Sequence, residues 1–192
     1  MTFVYIVRCN FTAPDKEQAW NDWYSGPKIE QMLAQPHFLS CQRFHRVAGT
    51  GRDYLALWTV ATPEALKTAQ YTSQWGFADW TPHITAWSRD LFDGGTAPPV
   101  DFAVARDGSL EVMSFDGMSA GDTPAANAAI VQSGPDMMWL PVAGLDRHTP
   151  LIGLRRLPVP SAASLSGDAG KVQHASYRPL CDFQNGARQS PA

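Results

Sequence analysis

The feature that most limits what this chain can fold into is a pair of strand-like runs between Pro36 and Val60. The first run reads PHFLSCQRFHRV, the second reads YLALWTV, and the connector AGTGRD between them carries two glycines. This pattern is typical of a β-hairpin whose loop is longer than the tightest two-residue turn. A helical pattern precedes the hairpin and another follows it. The stretch is therefore predicted to be the middle of a βαββαβ unit.

The flanking segments complete that unit. Phe3 to Phe11 alternates between an apolar face and a mixed face, which predicts a first strand covered on both sides. Ile84 to Phe92 reads as the fourth strand. The first helix is predicted to begin after a Thr12 cap and to end near Leu33, with a break or bend at Gly26-Pro27, because proline lacks a backbone donor.

A weaker copy of the same pattern follows the first unit. The segment ITAWSRDLFD of the first half aligns with HASYRPLCDF of the second, which predicts a degenerate internal repeat. The alternative is a β-rich C-terminal extension without symmetry.

The predicted strands of the second half are Leu110–Phe115, Met137–Leu145, Leu151–Leu157 and Tyr177–Phe183. Short helices are predicted after Asp122-Thr123-Pro124 and at Ala162–Leu165. The predicted division is a unit over residues 1–95, a linker over 96–109, a second unit over 110–183 and a frayed tail over 184–192.

Charge and cysteine content narrow the function classes. The net charge is −3 and the basic residues are scattered, with Arg155-Arg156 as the one adjacent basic pair, which argues against a nucleic-acid groove. The N-terminal apolar run is short and interrupted by Arg8, so neither a signal peptide nor a membrane span is expected. The three cysteines are far apart and lack Cys/His ligand spacing, so we expect no metal site and reduced thiols in a cytoplasmic protein.

The first 93 residues, and more loosely the rest, resemble the EthD-like and related branches of the dimeric α/β-barrel superfamily. The resemblance lies in the alternating first strand, in WNDWYSGPKIEQMLAQPHFLSCQRF and in YLALWTVATPEAL. It implies ferredoxin-like sheets that close into a barrel, usually between two chains. A ferredoxin-like sheet has helices on one face only, so its other face needs a partner sheet. The predicted fold is α+β, with two tandem ferredoxin-like βαββαβ units of antiparallel sheets forming one intrachain barrel, in a monomer or a homodimer.

The resemblance also implies a small aromatic or polyketide-like ligand in the barrel cavity. The aromatic candidates for binding it are Tyr5, Trp58, Trp23 and Tyr24, because aromatic rings stack on planar ligands. Many relatives carry a histidine in the first helix where this chain reads Tyr24-Ser25-Gly26-Pro27, so chemistry that depends on that histidine is not expected here.

Two residues of the second strand are the catalytic candidates. Arg43 and His45 lie on one face of that strand, where His45 could act as a general base near neutral pH and Arg43 could stabilise an enolate or a carboxylate. Alternatively, both lie at a solvent-facing rim or make structural hydrogen bonds. His83 is a further ligand-binding candidate, because an axial histidine occupies a comparable late-helix region in the haem-degrading branch, accompanied by an asparagine such as Asn10.

Two hypotheses on function remain open at this level. The first is a cofactor-independent enzyme that cyclises, isomerises or oxygenates an aromatic or polyketide-like molecule, with haem-dependent oxygenation as a minor variant. The second is a non-catalytic binding or accessory protein whose barrel is filled with side chains. No phosphate-binding glycine loop or nucleophile turn is present, which argues against a nucleotide cofactor.

Overall fold

The computed structural model describes residues 2–95, 102–118, 123–133, 135–158 and 172–186. Its strands are β1 (Phe3–Phe11), β2 (Phe38–Gly49), β3 (Tyr54–Val60), β4 (Ile84–Asp93), β5 (Ser109–Phe115), β6 (Met138–Leu145), β7 (Leu151–Leu157), β8 (Val172–Pro179) and β9 (Gln184–Asn185). Its α-helices are α1 (Glu17–Trp23), α2 (Ile29–Leu33), α3 (Ala69–Gln74) and α4 (Thr123–Ser133). A π-helical turn, Tyr24–Lys28, joins α1 to α2.

The strands close into an eight-stranded barrel within this single chain. The order is β3-β1-β4-β6-β7-β5-β8-β2, and β2 also pairs with β3, so the ring has no open edge. β4-β1-β3-β2 and β8-β5-β7-β6 are two four-stranded sheets with the same ferredoxin-like strand order, and every pair is antiparallel. The predicted fold class is thereby confirmed. The division of the chain into domains, and a repeat in its sequence, stay predictions.

Alternation along the strands divides the core into separate layers. One cluster contains apolar side chains from all eight barrel strands, including Ile6, Phe44, Leu57, Leu110 and Ile152, and therefore fills the barrel interior. The residues of opposite parity face outward under the helices. Those of the first sheet form a second core with α1, α2 and α3, and those of the second sheet form a smaller one with α4.

The observed first helical region differs from the single bent helix that was predicted. It begins with a 3-10 turn at Pro14–Lys16, and the Thr12 hydroxyl donates to the His83 carbonyl oxygen instead of capping the helix. The predicted break at Gly26-Pro27 is present as the π-helical turn. Because Pro27 cannot donate the backbone hydrogen bond of a regular helix, the helix widens there.

The second half also departs from the prediction at its ends. β8 begins at Val172 rather than Tyr177. Gln184 and Asn185 were expected in a frayed tail but pair with β2, and Phe102 and Val104 of the expected linker are buried in the barrel interior. The helix expected at Ala162–Leu165 lies outside the described residues.

One end of the barrel interior holds a cluster of charged residues. Arg8 reaches Asp116 at 3.0 Å and Asp90 at 3.7 Å, and Arg52 reaches Asp116 at 2.7 Å. Thr149 bonds to both Arg8 and Asp116. Burial disfavours ionisation of Asp116, but Arg8, Thr149 and Arg52 outweigh it, so its pKa lies below its usual value. The cluster joins β1 and the β2–β3 loop of the first half to the end of β5 and the β6–β7 loop of the second.

The helices of the described ranges are all too short or too polar to cross a membrane.

Replacing Asp116 with Asn should lower the free energy of unfolding by about 3 kcal/mol at pH 7, because it leaves two buried arginines with less compensating charge. The lowered pKa means that the carboxylate stabilises the fold above its ordinary value of 3.8 and that this contribution is lost as the pH falls through the native pKa. Urea unfolding should be measured from pH 7 to pH 3. The difference in unfolding free energy between Asp116→Asn and the wild type should become smaller only at the acid end of this range. Asp182→Asn removes an exposed pair with Arg106 and should leave stability nearly unchanged; an equal loss in both variants would contradict the prediction.

Candidate functional site

The first half of the chain contains a pocket between the outer face of its sheet and the helices above. It encloses about 380 Å³ of space, including the part open to solvent. It does not lie inside the barrel. The pocket therefore differs in place from the expected cavity in the barrel: apolar side chains lie in the barrel interior, whereas the outer face leaves a gap because two short helices and a loop cover it incompletely.

The floor of the pocket is built from three neighbouring strands. Tyr5 and Val7 on β1 pair in register with Trp58 on β3 and Arg89 on β4, respectively. Side chains that share one parity on paired strands lie side by side on the same face. Trp87, two residues before Arg89 on β4, extends this floor toward the mouth.

The roof of the pocket comes from the first helical region. Tyr24, Lys28 and Met32 follow one another at intervals of four residues, which places them on one face of the π-turn and α2. The side wall is formed by residues of α3 and the loop that follows it, Tyr71, Trp75, Gly76 and Phe77. Eight of the twelve lining residues named above are Tyr, Trp, Phe or Met, so the pocket suits a flat apolar molecule.

Several polar groups lie among these aromatic walls. The hydroxyls of Tyr5 and Tyr71 are 3.0 Å apart and hydrogen bonded, and burial raises the pKa of both Tyr5 and Tyr24. The Trp58 indole N–H is buried and has no hydrogen-bond partner among the described residues. Leaving a buried donor unpaired is costly, so a pocket ligand with an acceptor oxygen could satisfy it.

The structure brings three of the predicted ligand-binding residues together. Tyr5, Tyr24 and Trp58 all line the pocket. Trp23 packs instead against Tyr24 and Trp80, outside the lining. His83 lies at the end of a 3-10 turn, where its ring is 5.8 Å from that of Phe11 and 3.3 Å from the Lys16 ammonium, also outside the lining.

The two predicted catalytic residues share a face but do not line the pocket. The Arg43 guanidinium stacks 4.1 Å from the Tyr24 ring and 4.8 Å from the Trp20 ring, with hydrogen bonds to Asn21 and Ser25. Through these contacts Arg43 links β2 to the first helical region. His45 is half-buried beside Tyr54, and burial lowers its pKa. Their catalytic role stays a prediction, and the contacts of Arg43 favour its structural alternative.

Sequence reasoning missed the two cationic residues of the pocket. Lys28 is 6% exposed and its ammonium donates to the Gln74 carbonyl oxygen at 2.5 Å. Arg89 stacks 4.1 Å from the Trp75 ring and pairs with Asp146 at 3.4 Å. The four-residue spacing of Tyr24, Lys28 and Met32 was a signal that could have found Lys28. No comparable signal existed for Arg89, since Trp75 and Asp146 come from the segments that follow α3 and β6.

Comparison with known proteins shows the fold but no family. No protein-family model and no curated protein matches the sequence. Among solved structures, an anthrone oxidase-like protein superposes with a TM-score of 0.60, at 14% identity, over 100% of this chain and 96% of its own. The chain has the dimeric α/β-barrel fold. The EthD-like branch stays a prediction.

Two further solved structures share this fold, with somewhat lower TM-scores and sequence identities. A mutant chlorite dismutase from Candidatus Nitrospira defluvii matches with a TM-score of 0.53 and 10% identity, over 93% of this chain and 92% of its own. A proposed monooxygenase from Fusobacterium nucleatum subsp. nucleatum matches with a TM-score of 0.51 and 11% identity, over 100% and 99%.

The pocket does not contain the predicted axial histidine, because His83 lies outside its lining. No histidine or cysteine belongs to the pocket lining, and no group of three or more histidine, cysteine, aspartate or glutamate residues that could hold a metal ion occurs in the part of the chain that the structure describes. The pocket therefore gives no support to haem binding through His83.

Replacing Arg43 with Met should destabilise the fold by about 3 kcal/mol, because three hydrogen bonds and two ring contacts of a buried side chain are lost. Arg43→Lys should recover little of this loss, since an ammonium cannot stack flat or bond to Asn21 and Ser25 together. His45→Gln, at the half-buried end of the same strand face, is the matched control. Urea unfolding measures all three, and an undiminished stability of Arg43→Met would refute the bracing role.

Proposed function

We propose that this chain is a small-molecule enzyme that binds an aromatic or polyketide-like compound in the pocket between its first sheet and the helices, and transforms it without a cofactor. Cyclisation, isomerisation and oxygenation are the reaction classes considered. The observation that carries the proposal is the pocket itself, where aromatic walls surround an unpartnered buried indole donor, Trp58.

The distribution of polar groups supports binding of a planar oxygenated molecule. The Trp58 donor and the Tyr5 hydroxyl belong to register partners on adjacent strands of the floor, and the Tyr24 hydroxyl belongs to the roof. A flat ligand between floor and roof would stack on rings while its oxygens take up these donors. Apolar walls with a few convergent polar groups are what a small-molecule site requires.

The similarity to an anthrone oxidase-like protein supports a concrete reaction to test. Anthrone and one molecule of dioxygen would give anthraquinone and one molecule of water. Dioxygen is the oxidant, so no electron donor is needed. The aromatic walls of the pocket could stack on the rings of such a reactant.

The alternative function is a non-catalytic binding protein. The apolar side chains inside the barrel agree with the filled barrel of that hypothesis. It does not favour binding over catalysis, however, because the candidate pocket lies outside the barrel. Both functions predict that a ligand binds in the pocket. Only the conversion of that ligand to a product distinguishes the enzyme from the binding protein.

Trp58→Phe should lower kcat/KM for anthrone oxidation about tenfold, because the ring is kept while one hydrogen-bond donor to the ligand is lost. The measurement is oxygen uptake with anthrone, compared with the rate in the absence of protein. Trp139→Phe is the matched control, since Trp139 packs under the second sheet with an equally unpartnered buried N–H but is not part of the pocket.

The control should behave like the wild type. Anthrone that quenches tryptophan fluorescence but is not oxidised would establish the binding-protein alternative. The absence of both quenching and oxygen uptake would refute a pocket for aromatic ligands.

A further inference from the structure

Resting on the function proposed above, we propose that Lys28 is the proton acceptor of the pocket, so that the pocket selects planar aromatic molecules with an acidic hydroxyl group and holds them as anions. Phenols of fused-ring or polyketide-like compounds are the class of ligand meant.

The position of Lys28 is unusual for a lysine. Lysine is almost always exposed in folded proteins, yet here the residue is buried, at the last position of the π-helical turn. Its ammonium donates to the backbone carbonyl oxygen of Gln74 and lies 6.0 Å from the centroid of the Trp23 ring. Turns of this kind occur frequently at functional sites, because they reorient a side chain relative to a regular helix.

The charge of Lys28 is not matched by a carboxylate. Among the described residues, no carboxylate forms an ion pair with it, and neither aspartate nor glutamate lines the pocket. Arg89, the second cation of the lining, has Asp146 as a partner. Buried charges are normally paired, so an anionic ligand would supply the missing charge.

Burial also prepares the amine to take up a proton. It lowers the pKa of Lys28 to about 8, so a substantial fraction is neutral just above neutral pH. The exposed Lys67, which pairs with Glu64, lacks this environment.

The proton transfer balances without any further reactant. The O–H bond of the ligand breaks, its electron pair stays on the oxygen, and a new N–H bond forms at Lys28. The product is a phenolate beside an ammonium. At lower pH, where Lys28 is already protonated, the ligand releases its proton to solvent and binds as the phenolate.

The mouth of the pocket is suited to a flat anion. Trp75 and Trp87 are 40% and 45% exposed, and their ring centroids are 6.0 Å apart. The Arg89 guanidinium covers the Trp75 ring at 4.1 Å. Exposed tryptophans at this position provide stacking surfaces for an incoming ring system, and the arginine adds positive potential on the path toward Lys28.

The test uses alizarin, a planar dihydroxyanthraquinone whose visible spectrum distinguishes the phenol from the phenolate. The wild-type protein should bind alizarin and show the phenolate band at a pH where free alizarin is still neutral. Lys28→Met keeps the apolar stem and should bind alizarin as the neutral phenol, at least tenfold more weakly. Lys67→Met is the matched control and should equal the wild type. Lys28→Arg keeps the charge but cannot accept a proton, so it should retain the phenolate band with the ligand's proton released to solvent.

A second readout needs no ligand. The ¹³C chemical shift of the Lys28 Cε atom should show this residue titrating near pH 8, below its ordinary value of 10.5. Alizarin bound with the same spectrum and affinity by wild type and Lys28→Met, or a Lys28 that titrates at its ordinary value, would overturn the role of Lys28 and leave the proposed function standing. If the wild type does not bind alizarin and does not oxidise anthrone, the proposed function fails, and this inference fails with it.

Discussion

The pairing of β4 with β6 and of β2 with β8 is the constraint on which the rest of the structure depends. These two pairs join the edges of two four-stranded sheets, so the inner faces of both sheets are covered by each other and the outer faces are left for helices. Once the ring is closed, its interior has room for side chains and is filled by them. The pocket lies on an outer face, where the short helices of the first half leave space for it.

Closure also explains where charge is tolerated. Arg8, Asp90 and Asp116 lie at one end of the barrel interior, where residues of both halves meet and neutralise one another. Removing one partner would leave a buried charge exposed to a low dielectric, which is why such clusters hold sheets in register. Lys28 is the opposite case, because its charge is buried without a carboxylate partner in the described part of the chain, and this contrast separates a structural cluster from a candidate reactive group.

The two halves share a strand order and differ in what covers their outer faces. Over the first sheet lie tyrosine and tryptophan rings with a gap between them. The corresponding face of the second sheet carries an ion cluster, in which Glu111 is 2.5 Å from His174 and 2.6 Å from Arg155. There the carboxylate is paired twice, and its pKa is lowered, with the hydrogen bond from His174 as the main cause. The same scaffold therefore supports a pocket on one side and a closed polar contact on the other.

The sequence by itself determined the local architecture. Period-two alternation and helix-start signals located β2, β3, β4, β5, β6 and β7 to within a residue or two at most ends, and Gly26-Pro27 marked the irregular turn of the first helical region. Tyr5, Tyr24 and Trp58 were also predicted as ligand-binding candidates, because the resemblance implies an aromatic ligand and aromatic rings stack on planar molecules. Which face of each strand lies inside the barrel was decided only by the tertiary structure, since a period of two is the same for both faces. The surroundings of a charged side chain depend on segments distant in sequence that pack around it. For this reason only the tertiary structure shows that Arg43 links β2 to the first helical region and that Lys28 lines the pocket.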